Sequence, residues 1–233
     1  QVTKSEDSAD TDTDTDTEKE GKDKKKSKKR INHQIILIRH GEYESADADH
    51  KRVLTARGRE QAVCAGKRLQ ELVDARAIHP IKYVYFSTMA RATETHQLIQ
   101  SQLTNTGTAP HNINPCSMIR EGAVCPPSPP HSTWKPSDED FEKDGKRVEA
   151  AFASHISRAD PTEEESSYTT VLVCHGNIIR YFVLKALQLP VNAWLRTSVA
   201  NCSISSLIVH SDGHVSLRGH GDSGHLNAKD ITW

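Results

Sequence analysis

The sequence predicts an α/β domain, a three-layer α/β/α arrangement around a mostly parallel central sheet. Residues 34–38 and 169–174 are short strand signals with unbroken apolar runs at 35–38 and 171–174, of the kind buried on both faces of a parallel sheet. Between them the apolar positions switch to helical spacing, and strand and helix signals go on alternating along the chain. No internal repeat interrupts this pattern.

The first strand, residues 34–38, ends in Arg39-His40-Gly41-Glu42. A helix follows Leu54-Thr55-Ala56-Arg57-Gly58, with Thr55 as N-cap and Ala62, Ala65, Gly66, Leu69, Leu72 and Val73 recurring at helical spacing. Residues 83–86 read as a second strand that runs through Ser87 and Arg91 into a helix to about Leu103. From Pro110 to Pro136 the prolines, above all Pro126, Pro127, Pro129 and Pro130, exclude regular structure. Val148, Ala151, Phe152, His155 and Ile156 mark another amphipathic helix. Residues 169–174 form a third buried strand, followed by His175-Gly176-Asn177 and a helix through Leu187 that stops before Pro190. Residues 203–209 and 214–217 flank Asp212-Gly213, a hairpin signal.

The formal charge of −1 over 233 residues hides a local split. Residues 1–20 carry eight acids against two bases, and residues 21–30 seven bases against one acid. With only Val2 and Ala9 as apolar side chains, this segment cannot offset its ordering entropy by burial, so residues 1–30 are expected to be a disordered tail and 31–233 the folded domain. The basic run from Lys22 to Arg30 reads as a self-compensating linker after the acidic one. Aromatic residues are 5% of the chain and do not interleave with basic ones, which argues against a dedicated nucleic-acid module. No apolar run is long enough to span a bilayer, so the chain is expected to be soluble, with anchoring only through a segment upstream of Gln1. Five widely spaced cysteines fit neither a zinc site nor a complete disulfide framework, and favour a reducing compartment.

Ligands of open α/β sheets bind beyond the carboxyl ends of the strands, which is where Arg39, His40, Arg91 and His175 fall. Two arginines and two histidines around one crevice suit a dianion, since guanidinium forks match phosphate oxygens and helix N-termini add oriented N–H groups. A neutral imidazole can also attack phosphorus, and the departing oxygen then needs a proton from an acid with a raised pKa.

Arg39-His40-Gly41-Glu42 after a buried strand resembles the signature of the histidine phosphatase superfamily, which includes the cofactor-dependent phosphoglycerate mutases. The resemblance continues through residues 54–62, through residues 87–95 around Arg91, and through His175-Gly176-Asn177. Arg120-Glu121-Gly122-Ala123, Trp134-Lys135-Pro136, residues 147–152, Ile179-Arg180-Tyr181-Phe182 and Gly221-Asp222-Ser223-Gly224 look like one branch of it, the mitochondrial serine/threonine-protein phosphatases. The similarity spans roughly residues 33–231.

The resemblance implies a phosphoglycerate mutase-like fold and a protein phosphatase working through a phosphohistidine on His40. It implies phosphoryl binding by Arg39, Arg91 and His175, and acid–base work by Glu121. It also implies phosphoprotein substrates, a mitochondrial location, a homodimer as a possible assembly, and no metal or organic cofactor. Mutase or small-metabolite phosphatase activity, and a catalytically silent phospho-binding scaffold, are the alternatives. Gly41 and Gly176 are expected to let backbone approach the ligand, and Asn177 to touch substrate, to orient His175 or, more readily, to cap the following helix. Glu42 is left between a supporting contact and a plain surface position. Cys174 is expected to be core packing.

Overall fold

The computed structural model describes residues 30–103, 112–160 and 166–233. The tail expected over residues 1–30 therefore lies outside the described residues, apart from Arg30. Strands β1 (His33–Arg39), β2 (Ile81–Ser87), β3 (Asn112–Cys116), β4 (Tyr168–Cys174), β5 (Ile204–Val209) and β6 (Val215–Asp222) form one sheet in the order β3-β2-β4-β1-β5-β6. β3, β2, β4 and β1 are parallel neighbours, while β5 runs antiparallel to β1 and β6 antiparallel to β5.

The period-2 geometry of β1 separates its apolar run into two faces. Ile35 and Leu37 pack with Leu172 and Cys174 under α3 (Asp138–His155) and α4 (Gly176–Ala186). Ile36 and Ile38 pack with Val171 and Val173 under α1 (Ala56–Asp74) and α2 (Ala90–Gln102). This is the three-layer arrangement that an all-apolar strand requires, since neither face can be left to water. α1 begins where the sequence places its cap, with Gly58 N–H donating to Thr55 Oγ1 at 3.0 Å. α3 begins earlier than its apolar residues alone indicate, because Ser137 and Asp140 form a capping box.

The proline-rich connection holds more order than expected. β3 pairs with β2 within it, and a 3₁₀ turn at Ser117–Ile119 follows. Pro115 is tolerated because β3 is the outermost strand, where a missing N–H on the open side breaks no ladder. The second hairpin strand also runs on past residue 217 to Asp222.

The register of the central pair places the chemistry. Arg39 of β1 lies opposite Cys174 of the parallel β4, so the residues that follow, His40 and His175, emerge side by side at the same edge. The His40 N–H donates to the Cys174 carbonyl at 3.0 Å and fixes that juxtaposition.

Candidate active site

His40 is 3% exposed and His175 fully buried, and their ring centroids lie 5.1 Å apart. The partners of His40 settle its tautomer. Nδ1 lies 2.8 Å from the Gly41 carbonyl, which can only accept, so Nδ1 carries the proton. Arg91 Nε–H donates to Nε2 at 3.1 Å, so that nitrogen presents its lone pair. Burial, then the Arg91 and Arg39 charges, hold the His40 pKa well below the ordinary histidine value. The ring is therefore neutral at physiological pH, and its unprotonated nitrogen is held by Arg91.

His175 is driven the same way by burial, then by His40, Arg91 and Arg39. Its Nε2 lies 2.7 Å from Ser87 Oγ at the end of β2, and its Nδ1 is buried with no hydrogen-bond partner. A Ser87 hydroxyl donating to Nε2 leaves the proton on Nδ1, a donor with no acceptor among the described residues. Arg91, 3% exposed in the first turn of α2, stands 3.5 Å from Asp49, and the Tyr43 ring lies 4.7 Å from its guanidinium carbon. Tyr43 also meets His40 edge-on at 5.2 Å. Arg39 Nη1 donates to the Val199 carbonyl at 2.7 Å, and its buried Nε has no hydrogen-bond partner among the described residues.

Glu121 enters from the loop after the 3₁₀ turn at Ser117–Ile119. Burial raises its pKa, opposed by the N–H groups of Gly122 and Asn177 and by the Arg91 and Arg39 charges. A carboxyl so placed can hold a proton beside the two arginines and can also accept one. The structure thus brings Arg39, His40, Arg91, Glu121 and His175 around one locus at the carboxyl edge of the sheet. Neutral nucleophile, cationic cradle and protonatable carboxyl are the parts needed to move a phosphoryl group.

One expectation needs correction. Asn177 does not cap α4: the cap is His175, and Asn177 Nδ2 donates to the Gly122 carbonyl at 3.2 Å, tying the Glu121 loop to the helix. Gly41 is needed for a protein neighbour, since a Cβ there would lie 2.5 Å from the Gly58 carbonyl oxygen, and its N–H is already donated to Thr95 Oγ1. Glu42 is a supporting contact that receives the Thr55 hydroxyl at 2.7 Å and pairs with Arg57.

Sequence reasoning missed Ser87, Tyr43, Asp49, Thr95 and Asn201. Asn201 Nδ2 donates to the His40 carbonyl at 3.0 Å across a separation of 161 residues, so no local pattern could reveal it. Ser87 did carry a signal, because it ends β2 at the same sheet edge as His40.

The fold and these side chains define a phosphoryl-transfer domain, and the chain belongs to the histidine phosphatase superfamily (branch 1), whose pattern matches residues 35–114 and 126–222. Within that family it is similar to the mitochondrial serine/threonine-protein phosphatase Pgam5 of Drosophila grimshawi, 46% identical over 205 residues covering 88% of this chain and 68% of that one. The Pgam5 of Caenorhabditis briggsae is 45% identical over 201 residues, 85% of this chain and 66% of that one. The chain thus spans about two thirds of the length of these relatives. Among solved structures, phosphoglycerate mutase from Plasmodium falciparum superposes with a TM-score of 0.58 at 28% identity, covering 87% of this chain and 99% of that one. A mycobacterial glucosyl-3-phosphoglycerate phosphatase gives 0.56 at 20% identity, covering 82% of this chain and all of that one, a likeness of fold alone.

Proposed function

We propose that this chain is a protein serine/threonine phosphatase that works through a phosphohistidine on His40, and that residues 31–233 are its catalytic domain. The observation that carries the reading is the fixed neutral tautomer of His40, with its Nε2 lone pair at the focus of Arg39, Arg91 and His175. The choice of phosphoserine and phosphothreonine in proteins rests on the Pgam5 relatives, whose names also support a mitochondrial location.

Arg39, Arg91 and His175 Nδ1 hold the three outer phosphoryl oxygens. As the substrate binds, Arg91 Nε–H moves from His40 Nε2 to a phosphoryl oxygen and frees the lone pair. Nε2 then forms a bond to phosphorus as the bond to the serine oxygen breaks, and Glu121 gives that oxygen its proton. In the second half Glu121, now a carboxylate, takes a proton from water, whose oxygen bonds to phosphorus while the His40–phosphorus bond breaks. Phosphate leaves, Glu121 is protonated again, and the cycle closes on side chains and water alone. Asn177 and Gly41 keep this geometry through the Glu121 loop and the His40 ring. No described helix is long and apolar enough to cross a membrane, so attachment to one would fall to another segment of the protein.

Phosphoserine peptide in excess should release phosphate steadily and leave an acid-labile, base-stable phosphoryl group on the quenched enzyme. His40→Ala should abolish both. Turnover in that variant would defeat the mechanism, and turnover of phosphoglycerate without that of phosphopeptide would favour the metabolite alternative.

A further inference from the structure

Arg180 carries a charge that no described residue meets in an ion pair. It lies within α4, its buried Nε has no hydrogen-bond partner, and no carboxylate stands within ion-pair distance of it among the described residues. The residue keeps some exposure, but a guanidinium nitrogen shut off from water is ordinarily hydrogen-bonded, because desolvation without a partner is costly. Helical side chains lean toward the N-terminus, so that of Arg180 leans back over the turn that begins at Gly176, toward the catalytic edge. Gly176, four residues earlier on the same face, has no side chain to stand in the way, and a Cβ there would lie 3.7 Å from Arg39 Nε.

Two further donors are left open on this side. Arg39 Nε and His220 Nε2 are both buried without a hydrogen-bond partner among the described residues, and His220 stands on β6 with its Nδ1 3.4 Å from Ser205 Oγ. The Arg180 charge is felt at both Arg39 and His220, and Glu121 in turn is felt at Arg180. Four residues of helix rise about 6 Å, which sets Arg180 one step behind the phosphoryl locus at the start of α4.

We infer that Arg180, with His220 beside it, is a second anion subsite that receives a carboxylate or a second phosphoryl group carried near the phosphorylated residue. This rests on the phosphoprotein reading above and deepens it. The site favours substrates whose phosphorylated segment is itself acidic.

Three phosphoserine peptides test it on the full chain: one with neutral flanks, one with flanking glutamates, and one with a second phosphoserine. The ratio of kcat/KM for either anionic peptide over the neutral one should be about five, the size of a partly screened ion pair, and should fall with added salt. In Arg180→Met the ratio should collapse to about one, whatever the overall activity, and Arg180→Lys should restore most of it. A response to the second phosphoserine but not to glutamate would assign the subsite to a phosphoryl group, and the reverse to a carboxylate. A wild-type ratio near one, or a ratio that survives in Arg180→Met, overturns the inference. Rapid hydrolysis of glycerol phosphate with no turnover of any peptide would instead sink the phosphoprotein reading beneath it.

Discussion

His40 and Glu121 are tuned in opposite senses by one cause. Burial disfavours charge, so the imidazole loses its proton more readily and the carboxyl keeps it longer. As pH rises through the raised pKa of Glu121, the proton needed by the departing serine oxygen is lost and the first chemical step slows. An aryl phosphate has a stable phenolate leaving group and needs no such proton. Glu121→Gln should therefore lower phosphoenzyme formation from phosphoserine by about 10²–10⁴-fold, while formation from an aryl phosphate should change little. Equal losses on both substrates in rapid-quench measurements would refute the general-acid role. The candidates for these roles were legible because Arg39-His40-Gly41 and Arg120-Glu121-Gly122 are local patterns. The Ser87–His175 contact and the Asn201 hold on His40 were not, since each joins residues far apart in the chain.

At the scale of elements, α3 does what a catalytic loop without secondary structure needs done. Arg147 Nη1 donates to the carbonyls of Met118 and Arg120 at 2.7 and 2.8 Å, and Nη2 to that of Glu121 at 3.3 Å. Its partner Asp144, 2.8 Å away, receives the Ala123 N–H at 2.9 Å. The loop passes so close that a Cβ on Gly122 would lie 2.3 Å from Asp144 Oδ2. Arg147→Lys keeps the charge but cannot fork to three carbonyls. It is expected to lower kcat on phosphoserine peptide about a hundredfold, with a smaller loss on aryl phosphate, because the misplaced group is the proposed acid. Parallel losses on the two substrates would show that α3 merely supports the fold. The apolar spacing of α3 revealed the helix, yet nothing in that spacing shows its polar face gripping a loop some twenty-five residues upstream, as Arg147 grips Glu121. The proline count likewise masked β3, because an edge strand tolerates what an inner strand forbids.

Across the whole molecule, the sheet was readable because its central strands are apolar on both faces, which leaves few other arrangements for them. The same depth of burial makes stability depend on pH in a direction that can be worked out. Besides His40 and His175, burial lowers the pKa of His96 to about 4 and of His155 to about 4. Both rings are packed against aromatics, His96 on Phe86 at 4.2 Å and His155 on Tyr85 at 4.5 Å. Below the ordinary histidine value near 6.5 the unfolded chain takes up protons that these folded rings refuse. Their contribution is thus fully present above pH 6.5 and is lost as pH falls toward 4. Each such ring should remove about 1.4 kcal/mol of stability per pH unit in that window. Unfolding free energies measured between pH 7.5 and 5 should therefore decline steeply, before most carboxylates titrate. His96→Gln has no proton to gain, so it should lower stability at pH 7.5 yet flatten the decline by about one ring's share. A variant with the wild-type slope would mean that His96 accepts its proton without unfolding, and that its burial is not what excludes the charge.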